Sequence, residues 1–222
     1  MSHREKRFNT RLEWLNNRVI GGSSASAILG KNPYKTNVEL WENLVNGKEI
    51  TEDDTNEIQE YGTKAEKHIR ELFALEHPQY QVIPPKENDI HLLVHNEYDF
   101  ITGTLDGELI EKETGRKGIL EIKTQLASGS NRQKWYGGNI PDNYYIQLLH
   151  YYLIDDEYQF AIIKCRQRST LPNGDISITE IEYKIERESV KADIEYLLQK
   201  EIEFWGYVER QEKPPLLIDI GL

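Results

Sequence analysis

Apolar residues recur at helical spacing in three stretches of this chain and at strand spacing between them. Ile58, Tyr61, Ala65, Ile69, Leu72 and Phe73 fall three and four apart, which predicts an amphipathic helix over 56–76, broken by His77-Pro78. Residues 142–154 read as an aromatic-rich helix, and Val190, Ile194, Leu197, Leu198, Ile202 and Trp205 form the stripe of a long C-terminal helix. Between the first two lie QVIPP, the extended stretches 90–95 and 99–105, a turn at Asp106-Gly107, a short strand at 108–110 and a firm strand at 118–123. The polar run EKETGRKG joins the last two as a hairpin loop. Strands at 158–166 and 176–185 follow, linked by Leu171-Pro172-Asn173-Gly174. Residues 20–47 predict a Gly/Ser turn and short helices. Ser23, Ser24 or Ser26 would cap Ala27-Ile28-Leu29, Gly30 would stop that turn, and Thr36 or Asn37 would cap the next helix. The fold class expected is α/β (α+β): one domain over 1–222, with a central mixed sheet flanked by helices.

Composition agrees with a folded domain: 38% of residues are hydrophobic and 29% charged. No apolar run approaches a membrane span, and the polar start MSHREKRFNT carries no signal-peptide stretch, so a cytoplasmic location is the default expectation. Cys165 is the only cysteine, which excludes an intrachain disulfide, a cysteine-rich zinc site and a four-cysteine iron–sulfur cluster.

Net charge is −11, which argues against nucleic-acid binding until its distribution is seen. Residues 1–22 carry Arg4, Lys6, Arg7, Arg11 and Arg18 against two glutamates. Six acids and no base lie between Glu49 and Glu60, and residues 180–212 hold ten acids against five bases. An acidic exterior around a locally basic channel is compatible with that pattern.

The chemistry sits on the strand Ile119-Leu120-Glu121-Ile122-Lys123-Thr124. Alternation puts Glu121 and Lys123 on one face. Asp106 lies fifteen residues earlier, and a hairpin would bring it beside Glu121. Two converging carboxylates suit a hard cation such as Mg²⁺ or Mn²⁺, with Lys123 placed to orient or deprotonate a water and stabilise a developing negative charge. Each residue also has an ordinary reading: Glu121–Lys123 as a surface pair, Asp106 as a turn residue, and Glu66 as a helix charge paired with Arg70. Gln147 shares a helix face with Tyr151 and, if buried, needs a partner: a catalytic carboxylate, a water, DNA or backbone.

Five segments in order, VIGGSSASAILGKNPYKTNVELW (19–41), EYGTKAEKHIRELF (60–73), TGTLDG (102–107), GILEIKT (118–124) and YYIQLLHYY (144–152), resemble the YqaJ-type viral recombinases. These are the phage alkaline exonucleases related to lambda exonuclease, within the PD-(D/E)xK nuclease superfamily. The resemblance covers about Val19 to Leu153, and the superfamily's proline is Leu105 here. It implies a restriction-endonuclease-like core and a Mg²⁺-dependent deoxyribonuclease, with Mn²⁺ as a substitute and two ions per site. The implied metal-binding residues are Glu66, Asp106 and Glu121, with Ile122 counted among them. Lys123 is the implied motif lysine, and Gln147 and Tyr151 the implied QxxxY pair. Ser23, or its neighbour Ser24, would hold the terminal phosphate, with Arg18 nearby and the preceding glycine pair letting the backbone approach it closely; Tyr151 and Trp135 are counted with them as DNA contacts. Implied too are 5′ to 3′ degradation of one strand of linear duplex DNA, a ring trimer, an annealing-protein partner and a phage or prophage origin. Lys31, Lys35, Arg132 and Lys134 are candidates for the ring's channel, with Trp135 and Tyr136 for stacking on a separated base. The competing expectations are an endonuclease on the same core and a non-catalytic DNA-binding module. An iron–sulfur nuclease of the Cas4 kind is excluded by the single cysteine.

Overall fold

The structure is a computed structural model that describes residues 3–47, 57–86, 90–127 and 133–217. The chain runs through β1 (Arg4–Phe8), α1 (Arg11–Asn17), α2 (Gly22–Ile28), α3 (Asn37–Asn46) and α4 (Glu57–Glu76). Then come β2 (Tyr80–Ile83), β3 (Ile90–Val94), β4 (Thr102–Gly103), β5 (Gly107–Glu111) and β6 (Lys117–Leu126). Last are α5 (Asp142–Ile154), β7 (Tyr158–Thr170), β8 (Ile176–Glu186) and α6 (Lys191–Glu209).

The main sheet has five strands in the order β2-β5-β6-β7-β8. All its pairings are antiparallel except β6 with β7, which α5 joins as a crossover. Alternation along β6 and β7 divides the core into two layers. Ile119, Ala161, Ile163 and Cys165 face α2, α5 and α6, whereas Leu120, Ile122, Phe160 and Ile162 face Ile69 and Phe73 of α4. Helices thus cover both faces, as the mixed sheet with a parallel pair requires. A smaller antiparallel sheet, β1-β3-β4, lies beside it.

Several local expectations change. The stretch 99–105 is not a strand along its length: Ile101 N–H closes a turn on the Tyr98 carbonyl at 3.1 Å, and only Thr102–Gly103 pairs in a sheet. Ser23, Ser24 and Ser26 lie inside α2 rather than capping it, because the helix already begins at Gly22 with Gly21 as N-cap. Thr36 does cap α3, in a capping box with Glu39. Gly30, at φ 68°, closes α2 in the left-handed region that glycine adopts without strain. Strand β1 and helix α1 were not expected.

One buried polar pair joins α5, α6 and β4 on one side of the sheet. His150 of α5 and Glu201 of α6 are both fully buried and 2.7 Å apart, and the other ring nitrogen of His150 donates to the Thr102 carbonyl at 2.9 Å. Burial alone would push the imidazole's pKa down, but the Glu201 carboxylate and the carbonyl outweigh it and the net direction is up. The pair therefore stabilises most below about pH 6.5, and that contribution fades as pH rises through the elevated folded value. His150→Leu would strand Glu201, whose Oε2 already has no partner, and is expected to cost about 3–5 kcal/mol in urea unfolding. His150→Leu with Glu201→Leu should recover most of that loss; an additive double variant would show that the two are not coupled.

Candidate active site

Strand β5 pairs with β6 only as far as Gly107 opposite Leu120. Beyond that register β6 continues toward Leu126 with Asp106 at its side, and the notch so formed gathers the motif residues. The Asp106 Oδ2 accepts the Ile122 N–H at 2.7 Å, so the acid is fixed at the strand edge by the backbone next to Glu121. A strand residue sends its N–H and C=O to the same side, so the Ile122 carbonyl also faces this notch.

Glu121 is 1% exposed. Its Oε1 takes the Lys123 ammonium at 2.6 Å and the Gln147 amide at 2.7 Å, while its Oε2 is buried with no partner. The same Gln147 Nε2 donates to the Tyr151 hydroxyl oxygen at 2.7 Å. Lys123 lies 5.0 Å from the centre of the Tyr144 ring, whose hydroxyl accepts from Gln125 at 2.8 Å. From the opposite side α4 brings Glu66 toward Asp106 and Lys123, and Arg70, one turn on, donates to the Asp106 carbonyl. Gly62 lets α4 approach Thr124 of β6, where an added Cβ would meet the threonine oxygen at 3.1 Å.

The electrostatics follow from three acids sharing one desolvated notch. Burial first, and then the Asp106 charge, push Glu121 up to about 8 and Glu66 up to about 7. Burial raises Asp106 as well, against the pull of Lys123, the Ile122 N–H and Arg70. Burial disfavours the Lys123 cation, yet Glu121 and Asp106 outweigh it and hold the ammonium charged. Lys123 is therefore a donor to an anion rather than a proton acceptor in this arrangement. Among the described residues no three His, Cys, Asp or Glu side chains already stand around a common metal position. The donor set nevertheless fits a hard divalent cation that would displace their protons: three oxygen acids close together, one of them with an orphaned, buried oxygen.

The phosphate candidates lie next door. Arg18 Nη2 donates to Ser23 Oγ at 2.9 Å, which leaves the serine's own hydroxyl hydrogen free to donate outward. Ser23 is exposed, and Ser24 lines the same cavity. The glycine pair before them has a different role from the expected close approach to a phosphate. An added Cβ on Gly22 would meet the Tyr151 ring at 2.8 Å and Gln147 Cγ at 2.9 Å, and one on Gly21 would meet Arg18 Nε at 2.6 Å. The glycines let α2 press onto α5 and the guanidinium fold over the turn, which joins Ser23 to Gln147 through a single packed residue.

Two aromatic expectations are corrected. Trp135 is 2% exposed, donates to Gln125 Oε1 at 3.0 Å and stacks against Tyr183, so it belongs to the core and reaches no base. Tyr151 is also buried, beneath Gly22 and Gly103; it props Gln147 rather than touching DNA. Lys31 lies 3.4 Å from Asp142, Lys35 lines the Ser23 cavity, and Lys134 is exposed. Arg132 lies outside the described residues. Tyr144 and Arg70 were not singled out for the site, although Tyr144 is three residues before Gln147 on the same helix face and Arg70 four after Glu66.

Comparison with known proteins gives four likenesses. The profile of the YqaJ-like viral recombinase domain matches residues 12–157. The protein YqaJ of Bacillus subtilis (strain 168) is 32% identical over 200 residues, covering 89% of this chain. The chain spans about half the length of that relative, 56%. Among solved structures, an alkaline exonuclease (LHK-Exo) from Laribacter hongkongensis superposes with a TM-score of 0.56 at 18% identity, covering 90% of this chain and 95% of that one. A phage-related exonuclease from Haemophilus somnus 129PT gives 0.51 at 14% identity, over 90% of this chain and 99% of that one. These structures share the fold.

Proposed function

The chain belongs to the YqaJ-like viral recombinase family, and from that premise we propose that it is a Mg²⁺-dependent deoxyribonuclease that degrades one strand of linear duplex DNA from its 5′ end. The observation that carries this reading is Glu121: buried, gripped on one oxygen by Lys123 and Gln147, unpartnered on the other, and facing Asp106 and Glu66. A fold that only binds DNA gains nothing from gathering two half-buried acids around a buried one, whereas metal-assisted phosphodiester hydrolysis uses such a cluster. The names of the similar structures, an alkaline exonuclease and a phage-related exonuclease, support the same activity.

Glu66, Asp106, Glu121 and the Ile122 carbonyl would hold the cation; Mn²⁺ would substitute, and three acids suit two ions. When bound, it supplies the positive charge that offsets the carboxylates and the Lewis acidity for hydrolysis. Gln147 keeps the Glu121 carboxylate in one orientation. Lys123 donates to the phosphate as charge builds on it. Ser23 and Arg18 bind the terminal phosphate and so set where the strand is cut. Water's oxygen would bond to phosphorus as the P–O3′ bond to the departing nucleotide breaks; one of the water's protons ends on that 3′-oxygen and the other passes to solvent, and the shortened strand carries a new 5′-phosphate. A ring trimer on duplex ends, working with a single-strand annealing protein in a bacterial host's cytoplasm, completes the proposal. Among the described residues no helix is long and apolar enough to cross a membrane.

The test is digestion of 5′-phosphorylated linear duplex beside closed circular DNA, each with Mg²⁺ and with chelator. Nucleotides are expected from the linear DNA alone and only with metal. Cutting of the circle would replace the exonuclease by an endonuclease on the same core, and no cutting of either with Mg²⁺ or Mn²⁺ would leave a binding module.

A further inference from the structure

A cavity of about 690 Å³ opens between α1, α2, α3 and α6, with Arg18, Ser23, Tyr34 and Lys35 among its lining and Leu40 and Trp205 beneath. Tyr34 is 87% exposed, an unusual position for a ring with no protein surface to cover. It is nevertheless held in place. Asn32 Oδ1 accepts the N–H of Tyr34 at 2.9 Å and of Lys35 at 3.1 Å. The Nδ2 of the same Asn32 donates to the Ser23 carbonyl at 2.9 Å and to Ser26 Oγ at 3.0 Å. One asparagine therefore fixes the tyrosine's backbone to the helix α2 that carries the exposed serine.

We propose that Tyr34 is a stacking platform for the nucleobase beside the phosphate held by Arg18 and Ser23, once that nucleotide has been peeled from its complement. An aromatic face accepts any base, the two cations complement the backbone, and the apolar floor suits an unpaired ring. This rests on the reading that a DNA end is the substrate, and it gives that substrate a second contact independent of the carboxylates.

Two readouts test it. The first is KM and kcat for linear duplex by the parent, Tyr34→Ala and Tyr34→Trp. The second is quenching, in chelator, of 2-aminopurine at the 5′-terminal position of the same duplex. Tyr34→Ala is expected to raise KM about tenfold with kcat within about twofold, and to lose the quenching; Tyr34→Trp should keep both. An unchanged KM, or quenching that survives in Tyr34→Ala, would overturn the platform. Should the parent digest no linear duplex, the exonuclease reading falls by itself. Quenching by the parent but not by Tyr34→Ala would then still support stacking, and no quenching by the parent would refute it.

Discussion

Lys123→Ala should slow digestion of linear duplex at least about a thousandfold while leaving the protein folded. The ammonium is 2.6 Å from Glu121 Oε1 and 5.0 Å from the centre of the Tyr144 ring, a position from which it would meet both the acids proposed to hold the cation and an incoming phosphate. Arg70 is no substitute, being spent on the Asp106 carbonyl. The fold should survive because Glu121, stripped of its counter-charge, takes up a proton more readily still and keeps its hydrogen bond from Gln147. Lys123→Arg should not rescue: a planar fork cannot occupy the place of a point charge between a carboxylate and an aromatic face. Single-turnover digestion of 5′-phosphorylated duplex, with a melting curve as control, decides it. Activity within about tenfold of the parent would remove Lys123 from the reaction.

The second large effect is on stability and its dependence on pH. Glu121 sits at about 8 in the folded protein without metal, against an ordinary 4.5. Between those values the unfolded chain has lost its proton and the folded one keeps it, so folding stability falls as pH rises from about 4.5 to 8 and then levels. Glu66, at about 7, adds to the same trend. In chelator the parent should therefore lose stability from pH 5.5 to 8, by an amount on the order of a few kcal/mol. Mg²⁺ should restore it, with a stabilisation that grows over the same interval because the cation displaces protons. Glu121→Gln is expected to flatten much of the slope, to melt higher than the parent in chelator, and to cut no DNA. A variant whose melting temperature tracks the parent's at every pH would show that the buried carboxylate is not under this tension.

Much of this was readable in the chain. Long stripes such as Ile69 to Phe73 and Ile194 to Trp205 show as helices because a three-to-four spacing survives any tertiary detail. Asp106 and Glu121 could be brought together on paper because a hairpin leaves little choice of register. What stayed hidden was direction and depth. Strand β1 carries Arg4, Lys6 and Arg7 on an exposed edge, so no apolar alternation marks it. Trp135 and Tyr151 are single aromatics, and nothing in a lone ring says whether it faces core or DNA. Gly21 and Gly22 suggested room for a phosphate, whereas the room is taken by Arg18, Gln147 and Tyr151. Glu201 looked like one more charge on an acidic helix, and only its meeting with His150 shows it to be core. The net charge of −11 hides a local arrangement for a related reason: Arg18 beside Ser23 and Lys123 beside Glu121 are two cations in a chain of 38 acids.

The parallel pairing of β6 with β7 has a consequence for the cell that makes this protein. Strand β6 carries Glu121 and Lys123, but its neighbour starts only at Tyr158, after α5 has supplied Gln147. At about 5–20 residues per second of translation, the strand bearing the acids leaves the ribosome roughly 2–6 s before the strand that must flank it. Through that interval β6 has β5 on one side but no strand on the other, so the motif residues are made before the sheet around them is complete. The proposed cutting site would thus be among the last parts of the sheet to be completed as the chain is made.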